Sequence, residues 1–357
     1  LAVAGTHGKT STTSMLMLIL AEAGLRPGFV IGGDVTDMGT GAQWTGGEWL
    51  VVEADESDGT HLQLPLHGTI LTNVEIDHLD FYGTPEAIFD GFDRYLSQVE
   101  GPKVVCIDDP GAARVAQRHD VITYGTAAGA DFRIVSVRPG SGSFVFDVLH
   151  HGELLGEVSL PLRGMHNVRN ATAALAMAVT IGVPFATAVA ALAKFGGVAR
   201  RFDIRGVDAG VTLVDCYAHL PGEIAADLAA ARGSGDGWKR VVAVFQPNRF
   251  NRMAVMWPDY RDAFVDADLA AEAAVGFSGK KLVKHFFLLI GFVTEVMVAK
   301  DIDMATATKS HTSAGSQDGE FVGLTGFHDI EANILRDLEG MDLVITVQDF
   351  YSDQACF

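Results

Sequence analysis

The segment Val3-Ala4-Gly5-Thr6-His7-Gly8-Lys9-Thr10-Ser11 constrains this chain more than any other. It leads from a short apolar stretch at residues 1–4, which reads as a strand, into residues 10–23, whose apolar spacing is helical. At such a turn glycines let the backbone wrap close to a phosphate, and successive N–H groups point inward. The helix N-terminus adds partial positive charge, a lysine adds a full one, and a threonine offers its hydroxyl to Mg²⁺. The strict G-x-x-x-x-G-K-[ST] pattern would place glycine at position 3, where Val3 stands, so the loop is a variant. Gly5, Thr6, His7, Gly8, Lys9, Thr10 and Ser11 are therefore the candidate phosphate cradle.

A loop of this kind needs a sheet beneath it, and the chain is long enough to build one. It has 357 residues, 48% hydrophobic and 20% charged, which is globular and ample for two to three domains. The formal charge of −19 repels phosphate polymers and anionic lipid, so neither nucleic acid nor a membrane surface is an expected partner. Three widely spaced cysteines, Cys106, Cys216 and Cys356, make no disulfide framework or C-x-x-C site and suit a reducing cytoplasm. The apolar run at 15–23 imitates a signal peptide, but its place after the glycine-rich turn explains it better as a core helix. The run at 286–298 contains Glu295 and is shorter than the ~20 residues needed to cross a bilayer. The chain begins without methionine and already inside a strand-like segment, so a preceding portion is expected.

Short β-rich runs alternate with helical stretches, the rhythm of a mostly parallel sheet with helices on both faces. Strands are predicted at 1–4, 49–54, 69–73, 103–107 and 121–124, helices at 10–23, 85–99 and 110–118, and a hairpin over 144–160 turning at His151-Gly152. An alanine-rich helix follows at 167–181. The break at Phe195-Gly196-Gly197 sets a domain boundary, giving domains at 1–197 and 198–357. The rhythm resumes with strand 211–216, helix 222–232, strand 240–245, helix 329–338 and strand 342–347, whereas residues 268–320 fit it poorly.

Two acidic segments follow strands and so fall at the sheet edge that carries the phosphate loop. They are Glu53-Ala54-Asp55-Glu56-Ser57-Asp58 and Thr72-Asn73-Val74-Glu75-Ile76-Asp77-His78-Leu79-Asp80. Hard carboxylate oxygens suit Mg²⁺ bridging β- and γ-phosphate oxygens, and a histidine beside them can be a further ligand.

With these residues in view the chain resembles the Mur ligases. The matching segments are GTHGKTSTT at 5–13, VVEADESDGT at 51–60, TNVEIDHLDFYG at 72–83, GMHNVRNATAALA at 164–176 and GVARRFDIRG at 197–206. The resemblance implies an α/β architecture, with a central P-loop-type ATPase domain followed by a Rossmann-like C-terminal domain. It implies ATP and Mg²⁺ as cofactors, and its strongest branch implies UDP-N-acetylmuramate and L-alanine as substrates. On that resemblance Lys9 and the loop amides hold the ATP phosphates, and Thr10, Glu53 and His78 surround magnesium. Asn167 and Asn170 lie near the adenine, and Arg201 near the nucleotide. Lys9, Glu53, His78, Arg249 and Arg252 form the catalytic set, while Ser57, Asn73, Tyr217, His219, Asn248 and Arg249 contact substrate. Many relatives use a carbamylated lysine on magnesium; no lysine occurs here between Lys9 and Lys103, as the alanine-adding branch would have it.

The C-terminal half departs from the family pattern. Cys216 stands where an aspartate is expected to hold the ATP ribose, Leu220 replaces a histidine, and Asn248 replaces another near the acyl-phosphate site. Losing a charged hydrogen bond of that kind typically costs ~1.5–3 kcal/mol. The residues thus leave open a murein-peptide recycling or folate–glutamate type of ligase, and an ATP-binding homologue with impaired catalysis.

Overall fold

The computed structural model describes residues 1–33, 40–208, 210–246, 250–272 and 343–348. Its contacts divide the chain into two compact units, Leu1–Asp203 with Ala229–Gly237, and Ile204–Leu228 with Trp238–Phe357.

The first unit is built on strands β1 (Ala2–Ala4), β2 (Gly28–Val30), β3 (Ala42–Gln43), β4 (Leu50–Glu53), β5 (Thr69–Leu71), β6 (Lys103–Cys106), β7 (Ile122–Gly125), β8 (Phe132–Gly140), β9 (Ser143–His150) and β10 (Glu153–Leu160). They form one sheet in the order β10-β9-β8-β7-β6-β5-β1-β4-β2-β3. From β2 to β8 the pairings are parallel, and the flanks β2–β3, β8–β9 and β9–β10 are antiparallel.

Alternation along the central strands shows why helices must cover both faces. Val3, Ile70 and Val104 enter one apolar cluster, with Met15, Leu16, Ile19 and Leu20 of α1 (Lys9–Glu22) and the alanine-rich α5 (Met165–Thr180). Ala2, Ala4, Leu71 and Val105 enter another, with Ile88, Phe92, Tyr95 and Leu96 of α3 (Pro85–Ser97) and Ala112 and Val115 of α4 (Pro110–Ala116). The spacing 88, 92, 95, 96 is one stripe of a helix, and Thr84 caps it by accepting from the Ala87 N–H, with Pro85 at the first helical position. In the hydroxyl-rich first turns of α1, Thr13 and Ser14 enter the core satisfied by donating to the carbonyls of Lys9 and Thr10.

The expected elements lie within a few residues of those observed, and the hairpin turns where expected. The alternation at β8 went unread because a bulge between Val135 and Arg138, with Ser136 left-handed at φ 52°, breaks the two-residue period. The helix α6 (Phe185–Leu192) was likewise unread. The second unit holds β11 (Asp203–Asp208), β12 (Val211–Cys216), β13 (Val241–Gln246), β14 (Leu269–Glu272) and β15 (Leu343–Gln348), in the order β11-β12-β15-β13-β14. The pairings β12–β15, β15–β13 and β13–β14 are parallel, as a Rossmann-like half requires. Its helices are α7 (Pro221–Gly233) and α8 (Phe250–Ala263). The expected helix 329–338, the run 286–298 and the poorly fitting 268–320 lie wholly or mostly outside the described residues. No helix among the described residues is long and apolar enough to cross a membrane.

The acidic segment after β4 is anchored by a buried histidine. His61, in the 3-10 turn Thr60–Gln63, is 1% exposed and packs against the rings of Phe92 and Tyr95 at 5.7 and 5.2 Å. Both its ring nitrogens are buried without a hydrogen-bond partner among the described residues. Burial lowers its pKa from 6.5 to about 4, so the folded chain holds it neutral. An unfolded chain takes up that proton first, and stability should therefore fall as pH drops below about 6.5. The expected loss from this group is about 2 kcal/mol by pH 5. Denaturant melts of His61→Leu should show a shallower decline over the same range, and an unchanged slope would reject His61 as its source.

Candidate functional site

β5, β1 and β4 lie side by side and parallel, with Ala4 opposite Leu71 and Val3 opposite Glu53. Their C-terminal ends therefore bring three loops to one edge, at residues 5–8, 54–59 and 72–78. The first leads directly into α1, whose N-cap Gly8 is left-handed at φ 79°.

The 72–75 segment clamps this loop. Thr72 Oγ1 donates to the carbonyls of Ala4 (3.2 Å) and His7 (2.6 Å). The Asn73 side-chain amide accepts from the His7 N–H at 2.7 Å and donates to the His7 carbonyl at 3.0 Å. Thr6 Oγ1 accepts from the Glu75 N–H at 2.9 Å, and the Glu75 carboxylate lies 3.1 Å from His7 Nε2. Asn170 of α5 stands over the turn: a Cβ at Gly8 would meet its Oδ1 at 2.7 Å. Asn170 also donates to Asn167 Oδ1 at 3.5 Å, and Asn167 donates to the Arg163 carbonyl at 2.8 Å.

Lys9 is folded back into the loop. Its ammonium donates to the carbonyls of Gly5 (2.7 Å) and Thr6 (3.2 Å) and to both oxygens of Glu56 (3.0 and 2.8 Å). Glu56 is buried, which pushes its carboxyl pKa up against the opposing pull of Lys9. On the other side Thr10 Oγ1 donates to Glu53 Oε1 at 3.1 Å, and Glu53 Oε2 accepts from the Gly32 N–H at 2.8 Å. Glycines crowd this pair, since a Cβ at Gly32 would come within 3.1 Å of Glu53 and one at Gly33 within 3.2 Å of Thr10. A hydroxyl and a carboxylate this close match the oxygen donors that Mg²⁺ takes from protein while keeping water and phosphate in its other positions. Among the described residues no three His, Cys, Asp or Glu side chains gather as a metal cluster. His78, itself left-handed at φ 53°, places Nε2 3.3 Å from Asp77 and 3.9 Å from Glu56.

Ser57 donates to the Asp55 carboxylate at 3.0 Å on the same loop. Arg201 is half-buried, and its N–H bonds the Val198 carbonyl at 3.1 Å. In the second unit the His219 N–H and Nδ1 lie 2.9 and 3.2 Å from Glu223 Oε2, and its ring meets Tyr217 edge-on at 5.2 Å. Arg252 is buried on α8. Cys216, also buried, donates its thiol to the Asp227 carboxylate. Asn248 and Arg249 lie outside the described residues. The residue that sequence reasoning passed over is Glu56. Its only signal was its place three residues beyond Glu53, and the segment offered three other carboxylates.

The description "Mur ligase middle domain" matches residues 3–178, and "Mur ligase, glutamate ligase domain" matches residues 200–326. The chain belongs to the Mur ligase family. A UDP-N-acetylmuramate–L-alanine ligase from Pelobacter propionicus is 43% identical over 293 residues, covering 80% of this chain and 63% of that protein. The ligase of the same name from Solidesulfovibrio magneticus is 44% identical over 295 residues, covering 79% and 64%. This Mur ligase chain thus spans somewhat over three-fifths of those relatives. Among solved structures, the UDP-N-acetylmuramate–alanine ligase of Thermotoga maritima superposes with a TM-score of 0.67 at 27% identity, covering 81% of this chain and 65% of that one. A MurF ligase from the same organism, solved in complex with ADP, shares the fold at TM-score 0.68 and 18% identity, covering 98% and 76%.

Proposed function

We propose that this chain carries the ATP-binding and part of the catalytic machinery of an ATP-dependent ligase joining L-alanine to the carboxylate of UDP-N-acetylmuramate. The observation that carries the reading is the shared edge: Lys9 in the loop, and Thr10 3.1 Å from Glu53. In this reading ATP phosphorylates the muramate carboxylate to an acyl phosphate, releasing ADP. The L-alanine amine then attacks the acyl carbon, and the tetrahedral intermediate collapses to an amide as inorganic phosphate leaves. Attack of a carboxylate on a γ-phosphate brings two anions together, and preorganised cations at the contact offset that repulsion.

Lys9 and the loop N–H groups beyond those of Thr6 and His7, which Asn73 takes, hold the β- and γ-phosphates. Thr10 and Glu53, with His78, would hold magnesium, which when bound would supply positive charge to offset the negative charge of the phosphates. Asn167 and Asn170 face the base, and Arg201 lies along the nucleotide. Ser57, Asn73, Tyr217, His219, Asn248 and Arg249 serve the acceptor, and Arg249 and Arg252 the transferred phosphoryl group. The site works in the cytoplasm, where the buried thiols of Cys106 and Cys216 stay reduced. Phosphate release by the full-length protein is expected to require both UDP-N-acetylmuramate and L-alanine. Release indifferent to either acceptor would sink the assignment, and use of a tripeptide in place of L-alanine would move it to the recycling branch.

The Cys216–Asp227 contact favours one second reading, an ATP-binding relative without turnover. Its signature is nucleotide binding without phosphate release, with release regained by the combined variant Cys216→Asp, Leu220→His, Asn248→His.

A further inference from the structure

The ammonium of Lys9 carries three protons, and four oxygens stand within 2.7–3.2 Å of it. Every donor is thus engaged, and a phosphate oxygen can bond Lys9 only by displacing one of these acceptors. Two of them, the carbonyls of Gly5 and Thr6, belong to a loop pinned at Ala4, Thr6 and His7 by Thr72, Asn73 and Glu75. They cannot recede without undoing the clamp. The other two are the carboxylate oxygens of Glu56, borne on a side chain with three rotatable bonds.

The contacts of Glu56 hold its main chain apart from its side chain. Its backbone is held, because Tyr82 donates its phenol to the Glu56 carbonyl at 2.8 Å. Its carboxylate is 4% exposed, with Lys9 on both oxygens and His78 Nε2 3.9 Å from Oε1. The side chain can therefore draw its carboxylate away from Lys9 while its main chain stays fixed. A buried anion within 3 Å of the cation that a polyphosphate needs must also repel that polyphosphate.

We propose that Glu56 is the positioning residue of Lys9 and competes with the incoming triphosphate for its ammonium, yielding it as its carboxylate turns away from the loop. The proposal rests on the reading of residues 5–11 as the nucleotide-phosphate loop. It makes an unusual demand: removing a buried, well-bonded residue of the site should tighten binding. Glu56→Gln keeps the shape and one oxygen acceptor for Lys9 but removes the charge. In a calorimetric titration with the magnesium complex of a non-hydrolysable ATP analogue, Glu56→Gln is expected to bind about tenfold more tightly than the unaltered chain. A merely structural role would instead weaken binding together with the melting temperature.

Equal or weaker binding by the variant, with the unaltered chain binding normally, overturns the role of Glu56 and leaves the nucleotide reading standing. Failure of both chains to bind overturns the two together. Should Glu56→Gln fail to fold, a crystal structure of the unaltered chain with the same analogue decides. Lys9 is expected to exchange at least one Glu56 oxygen for a phosphate oxygen, and retention of both Glu56 contacts with no phosphate on Lys9 overturns the proposal.

Discussion

Lys9→Ala is expected to weaken binding of Mg·ATP by about 10²- to 10³-fold, the loss typical of removing one preorganised charged group from such a site. The lysine stands at the start of α1, where backbone N–H groups and the helix dipole supply only partial charge. The substitution has a second consequence, because Glu56 is buried and both its oxygens bond Lys9. Taking away one partner of a buried pair leaves the other uncompensated, and Lys9→Ala should lower the melting temperature as well as the affinity. Calorimetry on Lys9→Ala and on the double variant Lys9→Ala, Glu56→Gln separates the two effects. The double variant should recover melting temperature but regain no more of the binding than the loss of the Glu56 charge returns, about tenfold. Recovery of binding to the level of the unaltered chain would show that Lys9 acts through the fold alone and does not touch phosphate.

The contrast between Lys9 and Glu56 shows what the sequence made legible. A phosphate loop is local: glycine, lysine and threonine act through backbone amides within a single strand-to-helix turn, so nine contiguous residues state the chemistry. The sheet was legible for a related reason, since residues buried on both faces, such as those of β1 and β5, read as continuous apolar runs. Glu56 was not legible, because what distinguishes it from Asp55 and Asp58 is the direction of its side chain. Asp55 bonds Ser57 and Asp58 bonds Thr60, whereas Glu56 crosses 47 residues of sequence to Lys9. Asn73 shows the same limit from the other side. Both ends of its amide engage the His7 backbone, a pairing that only the neighbouring of β1 and β5 brings about. In the second unit Cys216 could be read as a departure from a family pattern, but its bond to Asp227 of α7 depends on how that helix packs.

Gly5→Ala is expected to be among the most destabilising single substitutions in the first unit, although it adds only a methyl group. Gly5 sits at φ +129°, a backbone conformation that side-chain-bearing L-residues rarely adopt. Its Cβ would come within 2.2 Å of Thr72 Oγ1, 2.9 Å of the Asn73 carbonyl and 3.0 Å of the Asn73 N–H nitrogen. Two of these atoms are backbone, so a rotamer change cannot relieve them. Thr72 is itself committed to the carbonyls of Ala4 and His7, so moving it undoes the clamp that holds the loop. Backbone strain of about 1–3 kcal/mol and overpacking of about 1–3 kcal/mol together give a loss near 4 kcal/mol. That predicts a melting temperature lower by roughly 8–16 °C for a unit of this size. Gly24→Ala is the control, because Gly24 shares a positive φ of +76° but has no atom within 4 Å of the added Cβ. Its cost should stay near the backbone term alone, about 1 kcal/mol. Equal losses for the two variants would mean that backbone conformation accounts for the whole effect, and that the close approach of β1 and β5 over the loop contributes nothing.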